Sequence, residues 1–394
     1  MKSNIYLAYL LAACKNSWFW LGIWIFYYLS FTNYAGIGII ETVLITTMTI
    51  AEIPTGAIAD LLGKRKTLFA SFLLQTVGAF WMAVTPDFIG LALSVFLMGI
   101  GATLYSGTLE AFVYDTLKQD GEEDRYDRII STIGSIHLLT PAICGAIGGF
   151  LYLLSPRLPF LANAGFYVVG TIGALFFREP VIDTVKFSFK NYFTQTKQGF
   201  KQLVKTAAIK QQTILLLSIG VIVVILDEML NSFLGVEFGF QATSIGIIWG
   251  VIYIVAAFAS QLTPYIKKWL GEKIAVLAVG GLLALMLLVA PVLGLVLGGI
   301  SLIFSSSLQS VYNNLSSIAI NKTTESKYRA TTLSTFNMFK NIPYVLCAYF
   351  VGSLSDHYSA RNAAFVLGVI LLGLLSVQIL STVSNKLHTR TRLV

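Results

Sequence analysis

Gly56-Ala57-Ile58-Ala59-Asp60-Leu61-Leu62-Gly63-Lys64-Arg65-Lys66 connects two long apolar runs in the first part of the chain. Gly56 has no side chain, so a helix that carries it can approach its neighbour closely. Gly63 permits a sharp reversal because it accepts positive φ, and Asp60 ends the apolar run before it. Arg65 and Lys66 are expected to hold the reversal on the cytoplasmic side of a membrane. The stretch therefore predicts a tight loop between two membrane spans.

The composition of the chain is typical of a membrane protein. Hydrophobic residues make up 56% of its 394 residues and charged residues 12%, whereas a soluble domain carries about 25% charged residues. Apolar runs of about 20 residues recur along the whole length, and each is long enough to cross a bilayer. These runs lack the polar face that a surface helix of a soluble enzyme needs. We therefore expect an all-α membrane protein.

Twelve spans are expected from the apolar runs. They cover approximately 5–31, 36–59, 67–85, 88–113, 129–154, 159–177, 213–235, 242–266, 274–291, 294–320, 330–354 and 360–382. The longest polar stretch, 178–211, divides them into two sets of six. The sequence thus predicts an N-terminal six-helix bundle over 1–177 and a C-terminal six-helix bundle over 212–394, joined by a cytoplasmic linker.

The basic residues predict the orientation of these spans. With both termini in the cytoplasm, 23 of the 27 lysines and arginines fall in cytoplasmic segments, and the outer loops hold only Arg157 and Arg361. Lys15 and Lys340 lie inside spans. This asymmetry is typical of multi-pass proteins of the cytoplasmic (inner) membrane. The net charge of +8 belongs to these loops and does not indicate nucleic-acid binding.

The linker 178–211 mixes aromatic and basic residues. Lysines lie between its aromatic residues, which are Phe187, Phe189, Tyr192, Phe193 and Phe200. The pattern predicts an amphipathic basic helix that lies on the anionic inner leaflet of the bilayer. A solvated linker is the alternative.

The reversal between spans 2 and 3 resembles the signature loop of the major facilitator superfamily of transporters, in residue types and in spacing: Gly56, Asp60, Gly63, Arg65 and Lys66. The superfamily resemblance covers nearly the whole chain and implies a fold of two six-helix bundles. It implies alternating access around a substrate site near mid-bilayer. It also implies a gate in which Asp115, at the cytoplasmic end of span 4, is the partner of Arg65 when the transporter is open to the outside.

Shorter motifs resemble particular groups within that superfamily. Span 5 carries Pro141, Gly145, Gly148 and Gly149, which resembles the glycine-proline motif of antiporters, although Thr140 and Cys144 stand where glycines are usual. Residues 52–56 and 106–115 resemble a bacterial branch often described as drug exporters. These resemblances imply export of a small amphipathic compound, coupled to inward proton flow.

Two spans carry polar residues at helical spacing. Span 11 has Ser334, Asn337, Lys340, Asn341 and Tyr344, and span 10 has Ser310, Asn313, Asn314 and Ser317. A water-filled substrate cavity is one interpretation, and hydrogen bonding between helices is the other. For Lys340 the cavity is favoured, because it lies roughly 16 Å from the cytoplasmic edge and a buried ammonium is costly.

Three further residues are assigned to the substrate cavity. Lys15 is similarly deep in span 1 and is followed by Trp18, and His137 lies on the proline and glycine face of span 5. The alternatives are a lysine that snorkels to the inner surface, a tryptophan that packs, and a hydrogen-bonded packing histidine.

Four carboxylates are candidates for proton coupling, since ionisable groups inside a bilayer are costly. Asp227 and Glu228 lie on span 7, about 25 Å along the helix from Lys210. Glu52 and Glu110 lie in the inner half, where pairing with a cytoplasmic basic residue is the alternative. A desolvated carboxylate binds a proton more readily than an exposed one.

No cofactor is expected. Cys14, Cys144 and Cys347 lie in apolar runs and predict neither a disulfide framework nor a metal site, and the sequence has no nucleotide-binding loop. The expected partners are a small-molecule substrate, protons and the lipid bilayer, and the working unit is expected to be a monomer. Uptake of an organic anion or nutrient, with Lys15 and Lys340 as ligands, is the alternative transport function. A non-transporting scaffold or receptor is the alternative of another class.

Overall fold

The computed structural model describes residues 2–180, 189–325 and 328–391. Within these ranges, the side chains of residues 2, 52–62, 189–192, 330 and 382–391 lie outside the description. The side chains of Glu52 and Asp60 and the surroundings of Gly56, which the sequence singles out, are therefore not described.

The described residues form helices and contain no strand. The α-helices are α1 (Lys2–Lys15), α2 (Trp24–Leu29), α3 (Tyr34–Leu62), α4 (Lys64–Val84), α5 (Phe88–Tyr105), α6 (Thr108–Asp120), α7 (Tyr126–Leu154), α8 (Leu158–Leu175), α9 (Phe189–Val204), α10 (Ala207–Ile225), α11 (Asn231–Phe238), α12 (Ala242–Leu270), α13 (Glu272–Val289), α14 (Leu295–Thr323), α15 (Arg329–Tyr358) and α16 (Ala360–Thr391).

The helices reproduce the predicted spans. Ten helical segments of the described chain are long and apolar enough to cross a membrane. The first predicted span falls outside that set because it is interrupted, and α15 falls outside it because its 30 residues include the polar stripe. The twelve spans correspond to the helices when α9 of the linker is left out and α1 with α2, α5 with α6, and α10 with α11 are each counted as one. The all-α membrane fold is confirmed.

The first span is not the continuous helix that the sequence predicts. The helix stops at Lys15 and resumes at Trp24. Two side chains just beyond the stop donate to helix carbonyl oxygens: Asn16 Nδ2 to Ala12 (2.8 Å) and Ser17 Oγ to Cys14 (2.7 Å). Such bonds compete with backbone hydrogen bonding and favour a helix end. Gly22, with φ 78°, completes the irregular segment.

The seventh span contains a π-helical turn. It covers Leu226–Leu230, between α10 and α11, and includes Asp227 and Glu228. A π turn adds one residue to a helical turn and is found frequently at functional sites. The sequence does not predict it, because the long apolar run around Asp227 and Glu228 indicates a helix without showing whether its hydrogen bonds are of the α or the π type.

The chain divides into two compact units. Unit 1 comprises Met1–Tyr192 and Phe240–Ile254, and unit 2 comprises Phe193–Gly239 and Val255–Val394. Helix α12 thus contributes to both. The predicted domain bounds at 177 and 212 stay a prediction.

The core of unit 1 is built by aromatic residues from several helices. Phe72 of α4 contacts Tyr105 of α5 and Tyr167 of α8, with ring centroids 5.9 and 6.3 Å apart. Phe112 of α6 packs against Phe177, at 4.3 Å between centroids. All five side chains are buried. They pack α4, α5, α6 and α8 together in one bundle.

Glycines bring α7 and the first turns of α12 into close contact within unit 1. A Cβ added to Gly149 would lie 2.8 Å from the carbonyl oxygen of Ala242, and one added to Gly246 would lie 2.7 Å from that of Gly145. Gly145 and Gly149, like Gly246 and Gly250, are four residues apart, so each pair shares one helix face. This small-residue packing is common between membrane helices.

In unit 2, α10 packs against α14 and α15. The Tyr312 hydroxyl of α14 donates to the carbonyl oxygen of Leu216 at 2.6 Å. At the other end of the span, the Glu237 carboxylate accepts hydrogen bonds from the backbone N–H groups of Ala360 and Arg361. This carboxylate satisfies N–H groups at the start of α16 that have no partner inside the helix.

Helix α9 forms within the predicted linker and packs on unit 2 through one face. Leu203 and Gln202 are buried, and Gln202 Nε2 donates to Glu325 Oε1 at 3.1 Å. The Phe200 ring lies 5.4 Å from that of Phe339 on α15. Phe193 is exposed. The expected contact of this helix with the inner leaflet stays a prediction.

Candidate functional site

The reversal between α3 and α4 is held by an acidic residue that sequence reasoning missed. Gly63 has φ +88°, as its proposed role requires. The Glu179 carboxylate accepts hydrogen bonds from the backbone N–H groups of Lys64 and Arg65, each at 2.7 Å. An anion at a helix N-terminus is favourable because unpaired N–H groups and the helix dipole converge there. The available signal was an acid among the basic residues that follow span 6.

In this structure Asp115 is not bonded to Arg65, the partner that the family resemblance implies for the outward-open state. The Asp115 carboxylate accepts a hydrogen bond from the ammonium of Lys64, not from Arg65. The Arg65 guanidinium donates instead to the carbonyl oxygen of Leu175, at 2.5 Å. That oxygen belongs to the last residue of α8, where the helix dipole favours a cation. Lys66 is exposed.

Lys15 lies at the end of α1, where the chain leaves the helix. Its Nζ is 5.7 Å from the ring centroid of Trp18 and 5.9 Å from that of Tyr105. Trp18 Nε1 donates to the carbonyl oxygen of Lys15 at 3.1 Å, and the Trp18 and Trp20 rings stack at 5.5 Å. The ammonium therefore lies among aromatic faces, within the range of cation–π attraction.

Glu110 and His137 join this group, which we call the Lys15 cluster: Lys15, Trp18, Tyr105, Glu110 and His137. Both Glu110 and Lys15 interact electrostatically with His137, and Glu110 also with Tyr105. In the described part of the chain, Tyr105 Oη, Glu110 Oε2 and His137 Nε2 are buried without a hydrogen-bond partner. Buried polar atoms normally have a partner, so unpaired ones need an explanation such as a ligand or an ion.

Unit 2 holds a second group, which we call the Lys340 cluster: Asp227, Glu228 and Lys340. Lys340 interacts electrostatically with both carboxylates, more strongly with Asp227. Protein surrounds and desolvates both carboxylates, yet Asp227 is solvent-accessible and Glu228 partly so. Of the two carboxylates, Asp227 is the more open to solvent.

A glycine positions the stem of Lys340. A Cβ added to Gly220 of α10 would lie 2.9 Å from Lys340 Cδ and 2.6 Å from the Tyr312 hydroxyl. The lysine stem thus crosses α10 at a residue without a side chain. Any larger residue there must displace Lys340 or Tyr312.

The residues of the two polar stripes, on α14 and α15, differ in their burial and in their hydrogen bonding. Asn314 Nδ2 donates to Ser260 Oγ at 2.7 Å and lies 3.3 Å from Thr263 Oγ1, both on α12. This is the helix-to-helix hydrogen bonding that was the alternative to a cavity. Tyr344 is fully buried, so it belongs to the core and not to an accessible surface. Of the remaining stripe residues assigned to the cavity, Asn313 and Asn337 are exposed and Asn341 is half-buried.

The chain is similar in sequence to known transporters. The model of the family described as Major Facilitator Superfamily matches residues 5–346. A relative from Bacillus subtilis (strain 168), named uncharacterized MFS-type transporter YxaM, is 24% identical over 361 residues, which is 89% of this chain and 88% of the relative.

Solved structures of transporters share the fold. The nucleoside transporter NupG has a TM-score of 0.75 at 18% identity, covering 96% of this chain and 97% of its own. A POT family transporter in complex with 5-aminolevulinic acid has a TM-score of 0.73 at 15% identity, covering 95% of each chain. A bacterial homolog of the human lysosomal transporter Spinster has a TM-score of 0.73 at 15% identity, covering 96% of this chain and 95% of its own. At these identities the likeness concerns the fold alone.

Proposed function

The chain belongs to the major facilitator superfamily of transporters, and on that premise we propose that it exports a small amphipathic compound in exchange for protons. Members of this family are transporters and not enzymes. Family membership does not include export, proton coupling or the nature of the compound, and these three points are what we propose.

Proton coupling rests on the Lys340 cluster. With both carboxylates ionised and Lys340 charged, the cluster carries one net negative charge. One proton makes it neutral, which lowers the cost of closing it away from water. Lys340 compensates Asp227 more than Glu228, so we assign the coupling proton to Glu228. The π turn presents both carboxylates at this cluster, and it is the observation that carries the proposal that the cluster couples protons.

Exchange follows if the substrate and the proton exclude each other at this cluster. A substrate with a cationic group offers the same neutralisation as the proton, so binding of either weakens binding of the other. Such linkage is reciprocal, because each ligand changes the affinity of the other by the same factor. Alternating access then converts an inward proton gradient into outward substrate movement.

The Lys15 cluster supports an amphipathic substrate. The stacked Trp18 and Trp20 rings offer an apolar, polarisable surface. Tyr105 Oη and Glu110 Oε2 are polar atoms nearby that have no hydrogen-bond partner among the described residues. Ligand pockets commonly combine aromatic walls with a few polar groups that fix orientation.

Uptake of an organic anion is the second candidate, and Lys15 favours it. The described residues place no carboxylate within 4.0 Å of its ammonium, which lies against aromatic rings. A cation with no ion-pair partner among the described residues suits an anionic substrate group. In this case Lys15 would bind the anion directly. Under the export proposal, Lys15 does not contact the substrate and acts only through its electrostatic interaction with Glu110 and His137.

The charge asymmetry of the loops supports the cytoplasmic (inner) membrane, with both termini in the cytoplasm. A monomer suffices for the proposed mechanism, because the clusters are each complete within one chain.

A proton-flux assay in proteoliposomes, run against a panel of lipophilic cations and organic anions, tests the proposal. We expect an outward gradient of some amphipathic cation to drive protons in the opposite direction, into the proteoliposome. Proton movement in the same direction as an organic anion, abolished by Lys15→Ala, would favour uptake. No substrate-dependent flux with any compound would favour a scaffold or receptor and sink both transport proposals.

A further inference from the structure

Unit 2 contains a cavity of about 550 Å³ that is separate from the Lys340 cluster. It lies where α10 and α13 begin, where α14 ends, and beside residues 378–379 of α16. A volume of this size is within the range of ligand pockets. The charge asymmetry of the sequence assigns this end of the helices to the cytoplasmic side.

The mouth of the cavity carries an organised group of charges. Glu272 Oε2 lies 3.7 Å from the ammonium groups of both Lys267 and Lys322, and Glu272 Oε1 accepts a hydrogen bond from Gln212 Nε2 at 2.9 Å. Lys273 also lines the mouth. Three lysines and one glutamate leave two net positive charges. Glu272 holds two ammoniums together, and each keeps further N–H donors for an incoming anion.

The walls behind this mouth are apolar and partly open to the outer surface. They include Leu215, Val276 and Leu277, and the lining residues Ile274 and Ile379 are 59% and 48% exposed. Trp269, beside the mouth in sequence, is 86% exposed. Exposed tryptophan is typical of the membrane–water interface, which places the mouth at headgroup level and the apolar walls at acyl-chain level.

We propose that this cavity binds an anionic phospholipid of the adjacent leaflet. Its phosphate would contact Lys322 and Lys273, and its acyl chains would lie along Leu277 and Ile379. Basic pockets between membrane helices on the cytoplasmic side suit anionic headgroups. A soluble phosphate compound would use the lysines but leave the apolar walls in contact with water. The inference depends neither on the transported compound nor on the direction of transport.

Lipid retention by the purified full-length chain tests the proposal. Native mass spectrometry would compare phosphatidylglycerol with phosphatidylcholine of identical acyl chains. We expect phosphatidylglycerol to be retained at least about tenfold better. Each lysine near an anionic lipid contributes about fivefold in affinity, so Lys273→Gln combined with Lys322→Gln should remove most of the preference.

The matched control is Lys268→Gln. Lys268 is an exposed neighbour at the same end of α12 that does not line the cavity, and its loss should change retention less than twofold. Leu277→Trp fills the apolar part without a change of charge and should lower retention of both lipids.

Three results would overturn the proposal. The first is equal retention of the two lipids by the wild-type chain. The second is an equal loss of preference in Lys268→Gln and Lys322→Gln, which would indicate general surface charge. The third is displacement of the lipid by glycerol 3-phosphate at comparable concentration, which would indicate a site for a soluble anion.

Discussion

Lys64, the first residue of α4, forms an ion pair with Asp115 of α6. Their side chains are 13% and 16% exposed, so water screens the pair only in part. The bond joins the end of span 4 to the reversal between spans 2 and 3. In a transporter that alternates between states, a pair in this position can bias the equilibrium without contacting the substrate.

A double-mutant cycle tests whether this pair acts as a unit. Lys64→Ala and Asp115→Asn should each destabilise the protein by about 1–2 kcal/mol, between the values for exposed and buried pairs. The double variant should be little worse than either single one, because both remove one interaction. Thermal unfolding in detergent measures all three. Additive effects of Lys64→Ala and Asp115→Asn would show that these two residues do not act as a pair. Coupling of Arg65→Ala to Asp115→Asn would restore Arg65 as the partner.

Glu179→Gln should loosen the start of α4. A neutral amide offers one acceptor oxygen in place of two and loses the attraction of the helix N-terminus, at a cost of about 0.5–1 kcal/mol. Hydrogen exchange at the amides of residues 64–66 should accelerate severalfold. Glu123→Gln, which removes an exposed acid elsewhere, is the control and should leave these amides unchanged. Equal exchange in both variants would show that the cap is not needed.

Two neighbouring asparagines on α14 should respond differently to loss of the side chain. Asn314→Ala removes bonds to Ser260 and Thr263 and should lower stability by about 0.5–2 kcal/mol. Asn313 is exposed, so Asn313→Ala should leave the thermal midpoint unchanged and alter substrate affinity if this residue lines the cavity. Equal destabilisation of the two variants would contradict the assignment.

Gly220→Ala should impair proton coupling, because the added methyl group meets the Lys340 stem and the Tyr312 hydroxyl. We expect the ratio of protons moved to substrate moved to fall severalfold. Gly281→Ala is a matched control on α13, where an added Cβ meets nothing within 4 Å. Proteoliposome flux at equal protein density compares the two. An unchanged ratio in Gly220→Ala would show that the position of Lys340 does not matter for coupling.

The long apolar runs predict the spans well, because crossing a bilayer demands about 20 apolar residues whatever the tertiary context. The interruption after Lys15 and the π turn at Asp227 are harder to predict. Each depends on local hydrogen bonding inside an apolar run, and hydropathy does not register that bonding. Periodicity also indicates that Asn313 and Asn314 share a polar stripe, but it does not distinguish the one that bonds to α12.

The sequence predicts the position of the reversal between spans 2 and 3 better than it predicts which charged residues pair there. The motif correctly marks the reversal at Gly63, yet Lys64 and not Arg65 is bonded to Asp115. Adjacent residues on a helix point about 100° apart, so a one-residue difference selects a different neighbour. Glu179 lies more than 100 residues from the amides that it caps. The signal in the sequence, an acid among the basic residues after span 6, does not indicate which N–H groups that acid bonds.

The most direct test of the central claim compares exchange with net flux in Glu228→Gln. For a compound found in the flux panel, exchange of labelled for unlabelled substrate needs no proton step, whereas net flux driven by a pH gradient does. Because glutamine is permanently neutral and mimics the protonated carboxyl group, which excludes a cationic substrate, we predict that Glu228→Gln lowers exchange, makes the remaining exchange independent of pH and loses pH-driven flux. Asp227→Asn, which leaves Lys340 without its stronger partner, should lose both. Retention of pH-driven flux by Glu228→Gln would contradict the account.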